Sequence, residues 1–407
     1  MSYEPALAVE IPATSAFGPW RVVFLCSLVA FLDGFDTQSI GPAASSIADA
    51  LQIPVNRFGP VFSASQVGFM LGALAFGALG DRFGRKRLLV VATLLFGLCS
   101  LGTALSASYG ALFAFRALAG FGLGGATPNF VGLAGEYAPP IERARIVSMM
   151  WAAVPLGGMV GSFGSSLLLP TLGWQAMVYI GAAAPVALAV ALALALPESA
   201  ETAAAEGAAA PVSLLFAPGQ RVATIWLWLA SFMTWMVLVA VAFWTPALLQ
   251  RAGLSVGSAA AILAINNAGG VVGTLLVGAT LGRGQPHRKL VLVFGAAAAA
   301  LAAMALTIGS FAGLAAAAGL AGFFCSAAGG GIVGVSAATY PSRARATGVG
   351  WALSFGRIGS ILGPMLAGLL VARDWPSALI FAAAAIPALA AAAFVLLLGR
   401  ATPRATP

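Results

Sequence analysis

The chain has 407 residues, of which 60% are hydrophobic and 8% charged, with 50 glycines and a formal net charge of +8. A soluble domain carries about 25% charged residues, so this composition and a mean hydropathy of +0.98 exclude an ordinary globular protein, and disordered, collagen-like and disulfide-stapled chains with it. Cys26, Cys99 and Cys325 lie far apart in apolar runs and His287 is the only histidine, which leaves no clustered ligand set for zinc or iron–sulfur and points to a protein without cofactor or metal, and not to an enzyme.

A helix that crosses a bilayer needs roughly 20 apolar residues. Apolar runs between charged or Pro/Gly breaks predict twelve spans, at 21–42, 60–80, 88–107, 110–136, 146–169 and 175–196, then 222–250, 257–281, 290–309, 311–339, 347–371 and 376–398. Residues 1–20 hold Glu4 and Glu10 without a basic cluster or a small-residue cleavage site, so the first run reads as a retained span behind a cytoplasmic segment. Residues 197–220 are Ala-rich with Glu198, Glu201 and Glu206, a linker between two six-helix halves at 21–196 and 221–398, and 399–407 form a tail.

With both termini inside, the cytoplasmic segments collect fifteen of the twenty Lys and Arg residues, the external loops three, and the spans two, Arg116 and Arg357. That asymmetry follows the positive-inside rule and explains the basic balance as membrane topology, without nucleic acid. Arg143-Ala144-Arg145 with Trp151-Ala152 returns 200 residues later as Arg343-Ala344-Arg345 with Trp351-Ala352. Such a duplication suits a transporter with a midplane site between two repeats, although two Arg-rich loops also become similar by chance.

Four charged groups stand away from the ends of the predicted spans. Asp33 and Asp36, in Phe31-Leu32-Asp33-Gly34-Phe35-Asp36, share a helix face at i,i+3 spacing. An Asp at the centre of a lipid-facing helix costs about 2.5–3.5 kcal/mol, so these groups must face a polar cavity or one another. Two carboxylates this close cannot both ionise easily, which makes the pair a candidate proton site; the alternatives are a cap on a helix break at Gly34 or a permanent pair with arginine. Arg116 and Arg357 can each grip a carboxylate in a planar fork, either that of an anionic substrate or that of Asp33, Asp36 or Glu136. Gln66, Asn129, Asn266, Asn267 and Tyr340 lie at cavity depth, where such groups commonly bond helix to helix. Among the aromatics that could cover a ring, including Trp235, Phe243, Trp244 and Phe355, Phe35 and Trp351 are the favoured candidates.

The segment Gly77-Ala78-Leu79-Gly80-Asp81-Arg82-Phe83-Gly84-Arg85-Lys86-Arg87 closely resembles the loop motif of the major facilitator superfamily. Arg116 with Gly120, Gly122 and Gly124, and Pro197-Glu198-Ser199, are similar to further motifs of that family. Asp33-Gly34-Phe35-Asp36, Gly122 to Asn129, Glu136-Tyr137, Arg343 to Trp351 and Gly356-Arg357-Ile358-Gly359 resemble its aromatic acid:proton symporter branch, carriers of hydroxybenzoates and hydroxyphenylpropionates.

The resemblance implies an all-α membrane protein of two pseudo-symmetric six-helix halves, working as a monomer in the bacterial inner membrane. It would import an aromatic acid with protons and lack enzymatic activity. By it Asp33, Asp36, Arg116 and Glu136 would carry proton coupling and Arg357 and Arg345 the substrate, which Phe35 and Trp351 would cover on the residue reading above. Asp81, Arg82, Arg85 and Lys86 would form a gating latch. The loop Leu281 to His287 departs from the family in lacking an acidic residue, which weakens a second latch and leaves the role of His287 open. The rival reading is a proton-coupled exporter of drugs or metabolites, but Pro155-Leu156-Gly157-Gly158 lacks the Gly-Pro order usual in such exporters.

Overall fold

The computed structural model describes residues 18–137, 150–197, 212–280, 285–340 and 344–401, and within them all side chains except those of 18–19, 81, 277–280 and 345–346. Residues 1–17, the 143–145 repeat, linker residues 198–211, Arg283, Arg343 and the tail from 402 lie outside the described residues.

Lipid offers no hydrogen bonds, so a spanning segment must pair its backbone internally, and the apolar runs close as helices. The elements are α1 (Gly18–Leu51), α2 (Phe58–Phe83), α3 (Arg85–Ala104), α4 (Tyr109–Tyr137), α5 (Ala153–Ala195), α6 (Arg221–Arg251), α7 (Val256–Thr280), α8 (Pro286–Leu306), α9 (Phe311–Thr339), α10 (Arg345–Ala372) and α11 (Ser377–Ala401), with 3₁₀ turns at Val55–Arg57 and Val212–Phe216. Eleven helices are thus long and apolar enough to cross a membrane among the described residues. This is a multi-pass, all-helical membrane protein.

The count differs from the twelve predicted because α5 is one element of 43 residues. At 1.5 Å per residue it would run roughly 65 Å if straight, about twice the hydrocarbon core. Gly173, at φ 76 and ψ 174, is not helical. It bends the element into arms 153–172 and 174–195, with a backbone conformation open essentially to glycine alone.

Two other boundaries moved for identifiable reasons. The first span was expected to stop at Pro42, yet α1 continues to Leu51, because one proline removes a single N–H while Ala43, Ala44, Ile47 and Ala48 beyond it are buried. Gln52, at φ 53, then ends the helix ahead of Pro54. α8 begins at Pro286, four residues before the predicted start, with the proline in its first turn, where its missing N–H has no intrahelical partner to lose.

The packing repeats along the chain. α1 lies on α5, α2 on α4, and α3 on α4 and α5; correspondingly α6 lies on α10, α7 on α9, and α8 on α9 and α11. The two sets meet where α2 packs on α10, α5 on α7 and α1 on α6. Close approach of α1 and α5 depends on Gly34 and Gly157: a Cβ on Gly34 would stand 1.8 Å from the Val154 carbonyl oxygen, and one on Gly157 1.8 Å from that of Phe31. α1 therefore runs unbroken through Gly34, and Asp33 and Asp36 cap no helix break. Large apolar side chains such as Leu194 and Leu306, 83% and 87% exposed, face outward, as lipid contact demands.

Candidate functional site

The charged residues inside the bundle sort into two groups. Asp36 and Arg116 are both buried. Arg116 donates from Nη1 to Asp36 Oδ1 at 3.1 Å and from Nη2 to Oδ2 at 2.8 Å. Ser100 Oγ adds a bond to Asp36 Oδ1 at 3.3 Å, and Arg116 Nε donates to Ser65 Oγ at 3.3 Å. A fork-to-fork pair of this kind satisfies both ions where no water can. Helices α1, α2, α3 and α4 are tied together by it.

Asp33 has different company. It is buried, and it accepts a long hydrogen bond, 3.4 Å, from Thr37 Oγ1. Its main attractive partner is Arg357, from α10 on the far side of the bundle, and its main repulsive one is Asp36. The Arg357 guanidinium reciprocates that attraction, but among the described residues no carboxylate lies within ion-pair distance of it. Instead its carbon Cζ lies 4.0 Å from the centre of the Phe69 ring on α2 and 5.0 Å from that of Trp235 on α6. Aromatic faces attract a cation without neutralising it.

The other sequence-predicted residues fall elsewhere. The Phe35 ring packs 3.5 Å from the Cβ position of Gly181, some 200° round α1 from Asp33, and does not join Arg357. Trp351 is partly exposed and stacks on Trp228 at 5.7 Å and 12°; it sits six residues from Arg357, roughly 9 Å along the helix and on another face. Glu136 accepts a bond from Arg85, twenty residues or roughly 30 Å from Arg116 along α4, so it couples to the α2–α3 turn. Arg82 is exposed against the Phe83 ring, Lys86 is half-buried in the first turn of α3, and the side chains of Asp81 and Arg345 are outside the described residues.

Of the polar groups expected at cavity depth, three bond to backbone. Asn129 donates to Gly125 and Phe76, Asn266 to Ala318 and Asn267 to Leu263. Gln66 is buried, and its Oε1 has no hydrogen-bond partner. Phe69 was missed by the sequence reading, since a phenylalanine within an apolar run carries no signal of its own; Trp235 was among the possible ring contacts but was not favoured.

Helix α2 meets α10 mainly toward one end of the bundle. Ser63 Oγ donates to the Ile361 carbonyl at 2.7 Å and a Cβ on Gly59 would lie 3.4 Å from Gly368 Cα; beside them Phe62 stacks on Phe243 of α6 at 4.5 Å. At that end a cleft of about 590 Å³ is lined by Asn56, Trp244, Arg251 and Asp374 among others.

A polytopic helical bundle with charged side chains buried in its interior is an architecture suited to membrane transport. Residues 26–313 and 286–407 match the Major Facilitator Superfamily, and the chain belongs to that superfamily. It is 36% identical to the 3-(3-hydroxy-phenyl)propionate transporter of Escherichia coli (strain K12), over 96% of this chain and 97% of that one. It is 34% identical to the 4-hydroxybenzoate transporter PcaK of Pseudomonas aeruginosa, over 93% and 92% of the two chains. Among solved structures, a bacterial homologue of the human lysosomal transporter Spinster, inward-facing and occupied, superposes with a TM-score of 0.76 at 19% identity, covering 97% of this chain and all of that one.

Proposed function

We propose that the protein is a proton-coupled symporter that imports an aromatic carboxylate, of hydroxybenzoate or hydroxyphenylpropionate type, across the bacterial inner membrane by alternating access. The two relatives named above transport acids of this kind. The observation that carries the reading is Arg357: a guanidinium inside the bundle, flanked by the Phe69 and Trp235 rings and attracted by Asp33 without being paired. It offers a carboxylate a planar fork and an aromatic ring two faces.

In this reading α5 contributes two spans at its Gly173 bend, giving twelve in two six-helix halves, with the halves at 21–196 and 221–398 working as one monomer. Fifteen basic residues then face the cytoplasm with both termini. The α2–α10 contact at Gly59, Ser63, Ile361 and Gly368 closes the external side, so the described conformation opens inward. Arg85 with Glu136, and Asp81, Arg82 and Lys86 near them, make the cytoplasmic latch.

Coupling follows from competition for one cation. While Asp33 is ionised, it draws on the charge of Arg357; a proton on Asp33 leaves that charge to the substrate carboxylate. Proton and substrate therefore favour each other's binding, and the linkage is reciprocal. Asp36, already matched by Arg116, keeps the neighbouring charge balanced. A monoanion entering an inside-negative cell is opposed by about 2.3 kcal/mol per 100 mV, and one accompanying proton removes that opposition.

Asp33→Asn tests the assignment. The variant should still exchange labelled for unlabelled substrate across proteoliposomes, because Arg357 stays available, but should fail to accumulate it under an inward proton gradient. Undiminished accumulation would remove Asp33 from the proton path.

A further inference from the structure

Gln66 occupies a place that the reading above leaves unused. It stands on the face of α2 that meets α10: three residues before it Ser63 bonds to Ile361, and three residues after it Phe69 covers Arg357. Residues three apart share a helix face, and Ile361 and Arg357 are themselves one turn apart. Gln66 therefore lies on the α2 face turned to the Arg357 turn of α10, buried at 6% exposure, with Oε1 unpartnered. On the opposite flank, Trp235 Nε1 is likewise buried without a partner. Its indole fits because residue 356 is glycine, where a Cβ would stand 2.4 Å from Trp235 Cδ1.

The inventory of this neighbourhood is lopsided. Arg357 and Trp235 can only donate hydrogen bonds, and the Gln66 amide oxygen can only accept one. A buried polar atom left without a partner is costly, so it either marks a misfit or awaits a ligand. The ligand that complements these groups carries an acid at one end, which only accepts, and a hydroxyl on its ring, which can donate.

Building on the substrate class proposed above, we infer that Gln66 is a specificity-determining residue that accepts a hydrogen bond from a ring hydroxyl of the substrate while Arg357 holds its carboxylate. An unsubstituted ring would leave Oε1 unsatisfied at the moment the site closes, whereas a phenol satisfies it. Discrimination of this polar kind is stronger than a size difference provides. Methylation of the hydroxyl removes the donor, so a methoxy ring leaves Oε1 unpartnered as an unsubstituted ring does, and its extra methyl must also be accommodated.

The test measures KM for uptake of 3-hydroxybenzoate, 4-hydroxybenzoate, benzoate and 4-methoxybenzoate into proteoliposomes holding the wild-type protein or Gln66→Met, which keeps length and removes the acceptor. For at least one hydroxybenzoate the wild type should show a KM at least about tenfold below those of benzoate and the methoxy acid. Gln66→Met should bring the two KM values together, raising that of the hydroxybenzoate, which loses its acceptor, and lowering that of benzoate, which no longer strands one; continued benzoate uptake also certifies that the variant is folded. If the wild type takes benzoate and both hydroxybenzoates with equal KM, the inference fails whatever the variant does, and the transport reading stands. If the preference persists in a benzoate-competent Gln66→Met, the inference fails too. If the wild type moves none of these acids and no 3-hydroxyphenylpropionate either, the transport reading itself falls and the inference with it.

Discussion

Asp33 and Asp36 stand one helical turn apart and end in different company. The spacing made a shared face legible in the sequence, but a shared face does not assign partners. Those depend on α4 bringing Arg116 to one carboxylate and on α10 bringing Arg357 toward the other, across 80 and more than 300 residues of chain. The consequences differ. Removing one member of a buried, bidentate pair leaves the other ion stranded, at about 3–5 kcal/mol. Asp36→Ala should therefore lower the thermal unfolding midpoint in detergent markedly, while Asp33→Asn should leave it near the wild-type value; equal midpoints for both variants would contradict the division of roles. Arg357→Lys should raise the substrate KM about tenfold or more, since an ammonium lacks the planar fork and stacks less well on rings. Unchanged affinity for every accepted acid would exclude Arg357 from the site. Phe35 and Trp351 were favoured on residue type, whereas the rings beside Arg357 are those of Phe69 and Trp235, because which ring lies near a given group depends on which helix faces which.

At the scale of elements, the apolar runs predicted α9 to the residue, at 311–339, and α6 within one residue at each end. The misses differ in cause. Proline was read as a local stop, whereas burial decides whether a helix continues past it. Past Pro42 it continues because the following residues pack, and at Gly173 it turns because the backbone there takes a conformation the helix cannot hold. Glycines elsewhere act as contact surfaces. A methyl on Gly157 would meet the Phe31 carbonyl oxygen at 1.8 Å, and overpacking of this sort typically costs about 1–3 kcal/mol. Gly157→Ala should lower the unfolding midpoint, while Gly334→Ala, with nothing within 4 Å of its Cβ position, should leave it unchanged or raise it. Matching midpoints for the two would mean that α1 and α5 are not held at this distance.

For the whole molecule, composition and charge asymmetry made the membrane class legible and the resemblance of the Gly77–Arg87 motif the superfamily, while the meeting of α2 with α10 was not legible, since it joins segments some 300 residues apart. That contact gives alternating access a direct handle. Gly59→Cys with Gly368→Cys should form a disulfide, because the two backbones already lie within its span, and the oxidised protein should be locked with its external side closed. Transport should stop on oxidation and return on reduction; uptake that is indifferent to the bond would mean that this end need not open. The central claim, proton-driven import of an aromatic acid, is tested most directly by uptake into proteoliposomes of 4-hydroxybenzoate, benzoate, a 3-hydroxyphenylpropionate and a non-aromatic dicarboxylate, with and without an imposed inward proton gradient. Gradient-dependent accumulation of an aromatic acid and not of the dicarboxylate is the expected result. Failure of every aromatic acid to accumulate, together with movement of a cationic drug against the gradient, would contradict it and make the protein a proton-coupled exporter.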